Sequence, residues 1–145
     1  MTDILMVCEG NVCRSPLAQA LLSRALPTVR VSSAGTRALV GQPADRLAIE
    51  LAQEHGMDLS QHVAKELSGE HLRAADIVLA MTSAQRGWIL DHFPFARGKV
   101  FRLGEQEQVD IVDPYQRSRL AFEISFAQIR QGVTQWCEDI ASLAH

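Results

Sequence analysis

Short apolar runs alternate with segments of helical periodicity along this chain of 145 residues. The runs lie at residues 4–8, 29–33, 76–81 and 100–103, and each has the length of a strand. Strands that alternate with helices form a parallel sheet with helices on both of its faces. We therefore expect an α/β protein with a three-layer, doubly wound fold, in which a four-stranded parallel sheet is flanked by helices.

Local signals predict where the helices begin and end. Ser15 precedes Pro16, which favours a helix with Ser15 as its N-cap and the proline at its first position. Gly56 and Pro94 are placed to end the helices that follow the second and third strands. From Phe122 onward, apolar residues recur at steps of four and three, which predicts a long helix that faces the core; a coiled coil is the alternative.

The segment from Cys8 to Ser15, Cys-Glu-Gly-Asn-Val-Cys-Arg-Ser, joins the first predicted strand to the first helix. Ligands of parallel sheets bind at the carboxyl ends of strands, so a site is expected at this turn. The amides of a tight turn and the positive end of a helix attract an anion, and Arg14 can bind two phosphate oxygens at once. Gly10 gives the backbone freedom to curl, and Asn11 tolerates left-handed geometry.

Cys8 lies in the same positive field, which favours the thiolate form of a cysteine. A thiolate behind a bound phosphate is placed for in-line attack on phosphorus, and Ser15 can donate a hydrogen bond that steadies the sulfur. The turn holds no Gly-Lys-[Ser/Thr] and the chain no Gly-x-Gly-x-x-Gly, which argues against nucleoside triphosphate and dinucleotide sites. The residues therefore predict transfer of a phosphoryl group to a cysteine.

The residues from Cys8 to Pro16 resemble the Cys-x-Gly-Asn-x-Cys-Arg-Ser-Pro signature of the low-molecular-weight protein tyrosine phosphatases. Further stretches fall where that family has counterparts, at residues 33–35, 62–65 and 113–115. Ala-Leu-Val-Gly at 38–41 and Asp-Pro-Tyr-Gln-Arg-Ser-Arg at 113–119 resemble the bacterial branch linked to capsule and exopolysaccharide production. This resemblance implies a single phosphotyrosine phosphatase domain over residues 1–145.

The resemblance also implies a role for each site residue. Cys8 would be the nucleophile, Arg14 the phosphate ligand and Asp113 the general acid, with Asp110 as the alternative acid. The resemblance assigns phosphate binding to Glu9, Gly10, Asn11, Val12, Cys13 and Ser15. One wall of the substrate slot would be Leu39 or Val40, and the other would be Tyr115. Ser33 and His62 would support the loop through hydrogen bonds to Asn11. Neither a metal nor a cofactor is expected, because Arg14 and the loop amides supply positive charge.

Other functions share part of this pattern. Thioredoxin-coupled arsenate reductases use a similar loop, but their relay needs further cysteines, and after Cys13 this chain has only Cys137. Protein arginine phosphatases tend to carry Thr where this chain has Val12, and an apolar side chain favours a phenyl phosphate. A non-catalytic phosphate-binding module would keep Arg14 and could dispense with Cys8. Cys13 itself is either a redox guard of Cys8 or a packing residue.

Composition limits the setting and the partners. Three cysteines form an odd and sparse set, which favours a reducing cytoplasm over secretion. A net charge of -3 argues against nucleic-acid binding, and no apolar run approaches the length of a membrane span. We expect a monomer whose substrate is a phosphotyrosine protein, and the resemblance to the bacterial branch implies a membrane tyrosine autokinase that controls polysaccharide export.

Overall fold

The computed structural model describes residues 2–143, and Met1 and residues 144–145 lie outside this range. The strands are β1 (Asp3–Cys8), β2 (Arg30–Gly35), β3 (Ile77–Ala80) and β4 (Val100–Arg102). The helices are α1 (Arg14–Ala25), α2 (Arg46–Glu54), α3 (Gly69–Ala74), α4 (Ser83–His92) and α5 (Arg119–Leu143), and a 3₁₀ turn spans Pro94–Ala96. The predicted strands and the predicted helices are therefore all present.

The strands form one parallel sheet in the order β2-β1-β3-β4. The chain leaves β1 toward β2 on one side and then returns to add β3 and β4 on the other side. This change of direction confirms the doubly wound fold, and the carboxyl end of β1 lies at the switch point. Cys8, the last residue of β1, stands opposite Gly35 of β2.

Different helices cover the two faces of the sheet, because successive side chains of a strand point to opposite faces. In β1, Ile4, Met6 and Cys8 pack in one apolar cluster with residues of α1, α2 and α5. Leu5 and Val7 pack in a second cluster with residues of α3 and α4. The sheet is thus the middle of three layers, as predicted, and the Cys8 side chain lies on the face that α1 and α5 cover.

The start of α1 differs from the prediction that Ser15 is its N-cap. The helix begins at Arg14, Cys13 occupies the N-cap position without a capping hydrogen bond from its side chain, and Ser15 lies inside the first turn. Ser15 does not cap the helix, because its hydroxyl is engaged with the Cys8 thiol. Pro16 is nevertheless accommodated, since the first-turn amides of a helix have no acceptor within it.

The other helix ends follow their signals more closely. Gly56 follows α2 in a left-handed conformation with φ of 79°, and Pro94 comes just after α4. Helical periodicity does not reveal α3, because six residues are too few to show a period; its signal is the capping box of Ser68 and His71. Within residues 2–143, no helix combines the length and the apolar character needed to cross a bilayer.

The long helix α5 packs closely against the chain that follows β4. A Cβ atom at Gly132 would lie 2.9 Å from the carbonyl oxygen of Leu103. One turn further on, the indole Nε1–H of Trp136 donates to the same oxygen at 3.0 Å. Gly132 therefore allows α5 to approach the edge of the sheet, because it has no side chain that would contact Leu103.

Two helical glycines should respond in opposite directions to alanine. An added Cβ at Gly87 in α4 meets no atom within 4 Å, so Gly87→Ala should raise the free energy of unfolding. The expected gain is about 0.5–1 kcal/mol, from the lower backbone entropy of alanine in the unfolded chain. Gly132→Ala should instead lower it by roughly 1–3 kcal/mol, because the methyl group overpacks against Leu103. Urea unfolding measures both, and a stabilised Gly132→Ala protein would show that α5 can shift at no cost.

Candidate active site

The loop of residues 8–13, between β1 and α1, is held by its carbonyl groups. Backbone amides from the β2–α2 connection donate to carbonyl oxygens of the loop: Thr36 to Cys8 at 3.0 Å, Arg37 to Glu9 at 2.9 Å, Leu39 to Gly10 at 3.0 Å and Asp45 to Val12 at 2.8 Å. The Asn11 carbonyl accepts from His62 Nε2 at 2.7 Å. Each carbonyl from residue 8 to residue 12 is therefore bonded to the protein around the loop.

The orientation of these carbonyls sets the orientation of the loop amides. In a trans peptide unit the N–H points away from the C=O, so the amides of residues 9–13 face the inside of the loop. One of them, the Asn11 N–H, donates to Cys8 Sγ at 3.3 Å, as this geometry requires. Inward amides at the amino end of α1 form a cradle for an anion.

Asn11 connects the loop to the elements behind it. The residue has φ of 60°, which is the predicted left-handed conformation. Its Nδ2 donates to Ser15 Oγ at 2.8 Å and to Ser33 Oγ at 3.0 Å, and its Oδ1 accepts from the Lys65 amide at 3.0 Å. The expected contacts of Ser33 and His62 with Asn11 are therefore present. Burial lowers the pKa of His62, so the ring is neutral near pH 7, and its bond to a carbonyl assigns the proton to Nε2.

These hydrogen bonds also assign the direction of the Ser15 hydroxyl. Ser15 Oγ accepts from Asn11 Nδ2, so its own proton is free to donate to Cys8 Sγ, 2.8 Å away. Cys8 is only 2% exposed, and its sulfur receives two converging donors, the Ser15 hydroxyl and the Asn11 amide. Such donors stabilise negative charge on sulfur and hold it in one position, which is what a nucleophile in this loop requires.

The other two cysteines are kept protonated. Burial, assisted by the negative charge of Asp45, raises the pKa of Cys13 far above its ordinary value. Burial also raises the pKa of Cys137 in α5. All three cysteines are free thiols. The surroundings of Cys8 therefore favour it over Cys13 as the reactive thiol of the loop.

Arg14 joins the loop to the segment that carries Asp113. The Arg14 residue is 3% exposed, its Nη1 donates to the Ile111 carbonyl at 2.9 Å, and its Nη2 lies 3.6 Å from Asp113 Oδ2. The amide of Ile111 donates in turn to the carbonyl of Met81, just beyond β3, at 2.9 Å. A buried guanidinium and the end of a strand therefore position Asp113, although no helix or strand contains it.

The two candidate acids have different surroundings. Asp113 lines the same cavity as Cys8, and its side chain is 47% exposed. Asp110 accepts from the Ser83 amide at 2.9 Å and pairs with Arg102 at 3.1 Å. The bond from the Ser83 backbone, and after it the contacts with Arg102, lower the pKa of Asp110. Asp110 thus serves the amino end of α4 and does not line the cavity, so the geometry favours Asp113.

A cavity of about 170 Å³ opens at this loop. Its lining residues are Cys8, Glu9, Gly10, Val12, Cys13, Arg14, Arg37, Leu39, Asp113 and Tyr115. Leu39 and Tyr115 therefore occupy the predicted walls, whereas Val40 does not line the cavity and is 65% exposed. Arg37 is a lining residue that the sequence motifs do not indicate, since an isolated arginine in a connection carries no recognisable pattern.

The side chains of two residues predicted to bind phosphate lie behind the loop and away from the cavity. Asn11 and Ser15 are fully buried and do not line the cavity, because their side chains hold the loop and the Cys8 sulfur. The glycine that the loop requires also differs from the predicted one. Gly10 has no positive φ, whereas a Cβ atom at Gly35 would lie 2.4 Å from the Glu9 carbonyl oxygen.

Comparison with known proteins points to one family. The family model for low molecular weight phosphotyrosine protein phosphatases matches residues 3–144. The chain is 51% identical over 140 residues to a protein of Ralstonia solanacearum named "Probable low molecular weight protein-tyrosine-phosphatase EpsP", and the alignment covers 97% of each chain.

Solved structures with this fold bear names that refer to different substrates. The tyrosine phosphatase AmsI of Erwinia amylovora superposes with a TM-score of 0.91 at 38% identity, over 95% of this chain and 92% of that one. The YwlE arginine phosphatase of Geobacillus stearothermophilus superposes with a TM-score of 0.92 at 34% identity, over 100% of this chain and 97% of that one. The fold by itself therefore does not distinguish between the two substrates.

Replacing Asn11 by aspartate tests the direction of the hydrogen bonds. Asn11→Asp keeps the shape of the side chain but removes both Nδ2 donors, so the Ser15 hydroxyl can turn from Cys8 toward the new carboxylate. We expect alkylation of Cys8 by iodoacetamide at pH 7 to slow by about tenfold or more, the usual range for a hydrogen bond to a charged group. Peptide mass spectrometry separates Cys8 from Cys13.

The control variant is Ser125→Ala in α5, which removes a buried hydroxyl without a partner among the described residues. It should leave the alkylation of Cys8 unchanged. Unchanged alkylation in a folded Asn11→Asp protein would contradict the assigned hydrogen-bond direction.

Proposed function

The chain belongs to the low molecular weight phosphotyrosine protein phosphatase family and is a protein tyrosine phosphatase, and we propose that it hydrolyses phosphotyrosine in proteins through a phosphocysteine on Cys8. One observation carries this proposal: the Cys8 sulfur, the Arg14 guanidinium and the Asp113 carboxyl group line the same cavity. They correspond to the nucleophile, the phosphate ligand and the proton donor that a metal-independent phosphoryl transfer requires.

In the first step, Cys8 Sγ attacks phosphorus and the bond from phosphorus to the phenolic oxygen breaks on the opposite side. The inward amides and Arg14 bind the equatorial oxygens of the transferring phosphoryl group. Asp113 stands at the open side of the cavity and donates a proton to the departing oxygen, which spares the reaction from releasing a basic phenolate. The Ser15 hydroxyl stabilises the sulfur before the attack.

In the second step, water attacks the phosphocysteine and the Cys8 thiolate leaves. The Asp113 carboxylate, having given up its proton, accepts one from this water. Its half-exposed position gives water access to the site while the sulfur stays buried. The Ser15 hydroxyl again stabilises the sulfur, now as the leaving group, and inorganic phosphate is released.

The shape of the slot supports an aromatic phosphate as substrate. The sulfur of Cys8 is almost completely buried, whereas the wall residues Leu39 and Tyr115 are 37% and 39% exposed. A phosphate carried on a phenyl ring can reach the loop from the surface, and the ring then lies between two apolar side chains. Serine and threonine phosphates are shorter and would leave these walls without contact.

The physiological setting is proposed from the sequence resemblance. Residues 38–41 and 113–119 resemble the bacterial branch linked to exopolysaccharide production, so we infer that the substrate is a membrane tyrosine autokinase controlling polysaccharide export. Sparse free cysteines favour the reducing cytoplasm as the place of action, and we infer that the protein acts there as a monomer. We also infer that residues 1–145 act as one domain, because their strands share one sheet and the family model matches residues 3–144.

Phosphate release from a phosphotyrosyl peptide, without added metal, tests the activity and the nucleophile. Cys8→Ser should abolish turnover, because an un-ionised hydroxyl replaces the thiolate. Asp113→Asn should lower kcat/KM, which does not depend on the later hydrolysis of the phosphocysteine, by about 10²–10⁴-fold with phenyl phosphate, whose leaving group needs a proton. The loss should be much smaller with p-nitrophenyl phosphate, whose leaving group departs readily as an anion.

The control for the acid is Asp110→Asn, which removes the carboxylate that pairs with Arg102. If Asp110→Asn acts only by destabilising the protein, the rates with phenyl phosphate and with p-nitrophenyl phosphate should fall by the same factor. Asp113 is not the acid if its replacement lowers kcat/KM by the same factor for both substrates. No turnover by folded wild-type protein would refute the proposed activity.

Hydrolysis of phosphoarginine in proteins is the second candidate, favoured by the structural similarity to the YwlE arginine phosphatase. Val12 argues against it, because this apolar residue lines the slot and offers no acceptor to a guanidinium. The arsenate reductase alternative is weaker, since Cys137 is the only cysteine after Cys13 and lies in the distant helix α5.

Val12→Thr separates the two phosphatase activities. The two side chains have the same shape, and the hydroxyl can accept a hydrogen bond from the substrate guanidinium. We expect turnover of a phosphoarginyl peptide to rise relative to that of a phosphotyrosyl peptide. Rates of phosphate release for the two peptides give this ratio, and an unchanged ratio would mean that position 12 does not select the substrate.

A further inference from the structure

Arg37 lines two adjacent hollows at the carboxyl edge of the sheet. One is the slot above Cys8. The other, here called the Thr36–Trp88 groove, is lined by Glu9, Thr36, Arg37, Ala84, Gln85 and Trp88. Because the two hollows share Glu9 and Arg37, a peptide whose phosphotyrosine occupies the slot can continue into the groove.

The backbone of Arg37 is fixed by a hydrogen bond, whereas its side chain is exposed. The Arg37 amide donates to the Glu9 carbonyl at 2.9 Å, which ties this residue to the phosphate-binding loop. Among residues 2–143, the Arg37 side chain finds no hydrogen bond, ion pair or ring contact. By contrast, Arg14, Arg102 and Arg119 are all paired with carboxylates. The planar guanidinium of Arg37 therefore remains available to bind a carboxylate of a ligand.

We propose that the Thr36–Trp88 groove binds the residues that flank phosphotyrosine, and that Arg37 selects peptides with Asp or Glu at one of these positions. This inference rests on the proposed phosphotyrosine activity and names the kind of peptide that the site prefers. The groove gives the flanking residues a partly buried aromatic surface at Trp88 and a cation at Arg37. The groove would thus recognise the residues beside phosphotyrosine, while the loop recognises the phosphate.

Glu9 is the charge in this groove that opposes the selection. Its carboxylate is exposed and, in the described part of the chain, has no ion pair, so on its own it would attract a basic peptide. The first turn of α4 contributes Ala84 and Gln85 to the far wall, but the amino end of this helix is already bonded to the Asp110 carboxylate through the Ser83 amide. The preference for a carboxylate therefore rests on Arg37, whose planar guanidinium can bind one through two parallel hydrogen bonds, a geometry that Glu9 cannot offer to an ammonium group.

Paired peptides test the selection. Each peptide carries one phosphotyrosine and a single Glu at a defined position on either side of it, and its partner carries Gln at that position. For wild-type protein, kcat/KM should be roughly two- to fivefold higher with Glu than with Gln at one or more positions, the range for an exposed ion pair. About 0.5 M salt should reduce this ratio, because exposed charges are screened.

Variants test whether Arg37 causes the higher kcat/KM with Glu than with Gln. Arg37→Gln should bring the Glu/Gln ratio close to one, Arg37→Glu should invert it, and Glu9→Gln should increase it. The matched control is Arg97→Gln, which changes the net charge as Arg37→Gln does but follows the 3₁₀ turn ahead of β4, at the opposite edge of the sheet. Arg97→Gln should leave the ratio unchanged, so that a general effect of charge is excluded.

Binding measurements keep this proposal separate from the proposed activity. Titrating the same peptides into the Cys8→Ser variant measures the Glu/Gln preference without turnover, so the groove can be assessed even if hydrolysis fails. The proposal is overturned if neither measurement shows a preference for Glu at any position, or if the preference survives Arg37→Gln. A preference for Gln over Glu would also overturn it and would mean that the charge of Glu9 dominates the groove.

Discussion

The site depends on the hydrogen bonds that the loop carbonyls make to the protein around them. A loop can turn its amides toward an anion only if its carbonyls point the other way, and buried carbonyls need donors. Here the donors are amides of the β2–α2 connection and the His62 ring. The cradle is therefore formed by the segments behind it as much as by its own residues, because every one of these donors belongs to the protein.

This arrangement explains why a buried polar network lies in an otherwise apolar core. Asn11, Ser15 and Ser33 are fully buried, and each has hydrogen-bond partners. The chain of donors runs from Asn11 through the Ser15 hydroxyl to the Cys8 sulfur, so one side chain both shapes the loop and orients this sulfur. Since an unsatisfied buried polar group costs about 1–3 kcal/mol, such a network is stable only when every member is in place.

The sequence predicts best what is continuous in the chain. The strands, the doubly wound sheet and the residues from Cys8 to Arg14 follow from local patterns, because spacing, turn residues and a strand–helix junction lie together. Contacts between distant segments cannot be predicted from local patterns. The need for glycine at position 35 arises from the Glu9 carbonyl, and Arg37 lines the slot only because the tertiary structure brings its loop there. The choice between Leu39 and Val40 could not be made, since neighbouring residues of an irregular segment do not alternate predictably.

Discrimination between substrates must lie outside the cradle. Inward amides and a buried guanidinium suit phosphate, which phosphotyrosine and phosphoarginine share, and similar folds occur in proteins named as a tyrosine phosphatase and as an arginine phosphatase. What differs between the substrates is the group that carries the phosphate, and in this protein the cavity above Cys8 is lined by Val12, Leu39 and Tyr115. These side chains form no part of the hydrogen-bonded frame, so they can be exchanged without disturbing the nucleophile. The separation of a rigid cradle from replaceable walls is therefore what allows one fold to serve more than one phosphorylated residue.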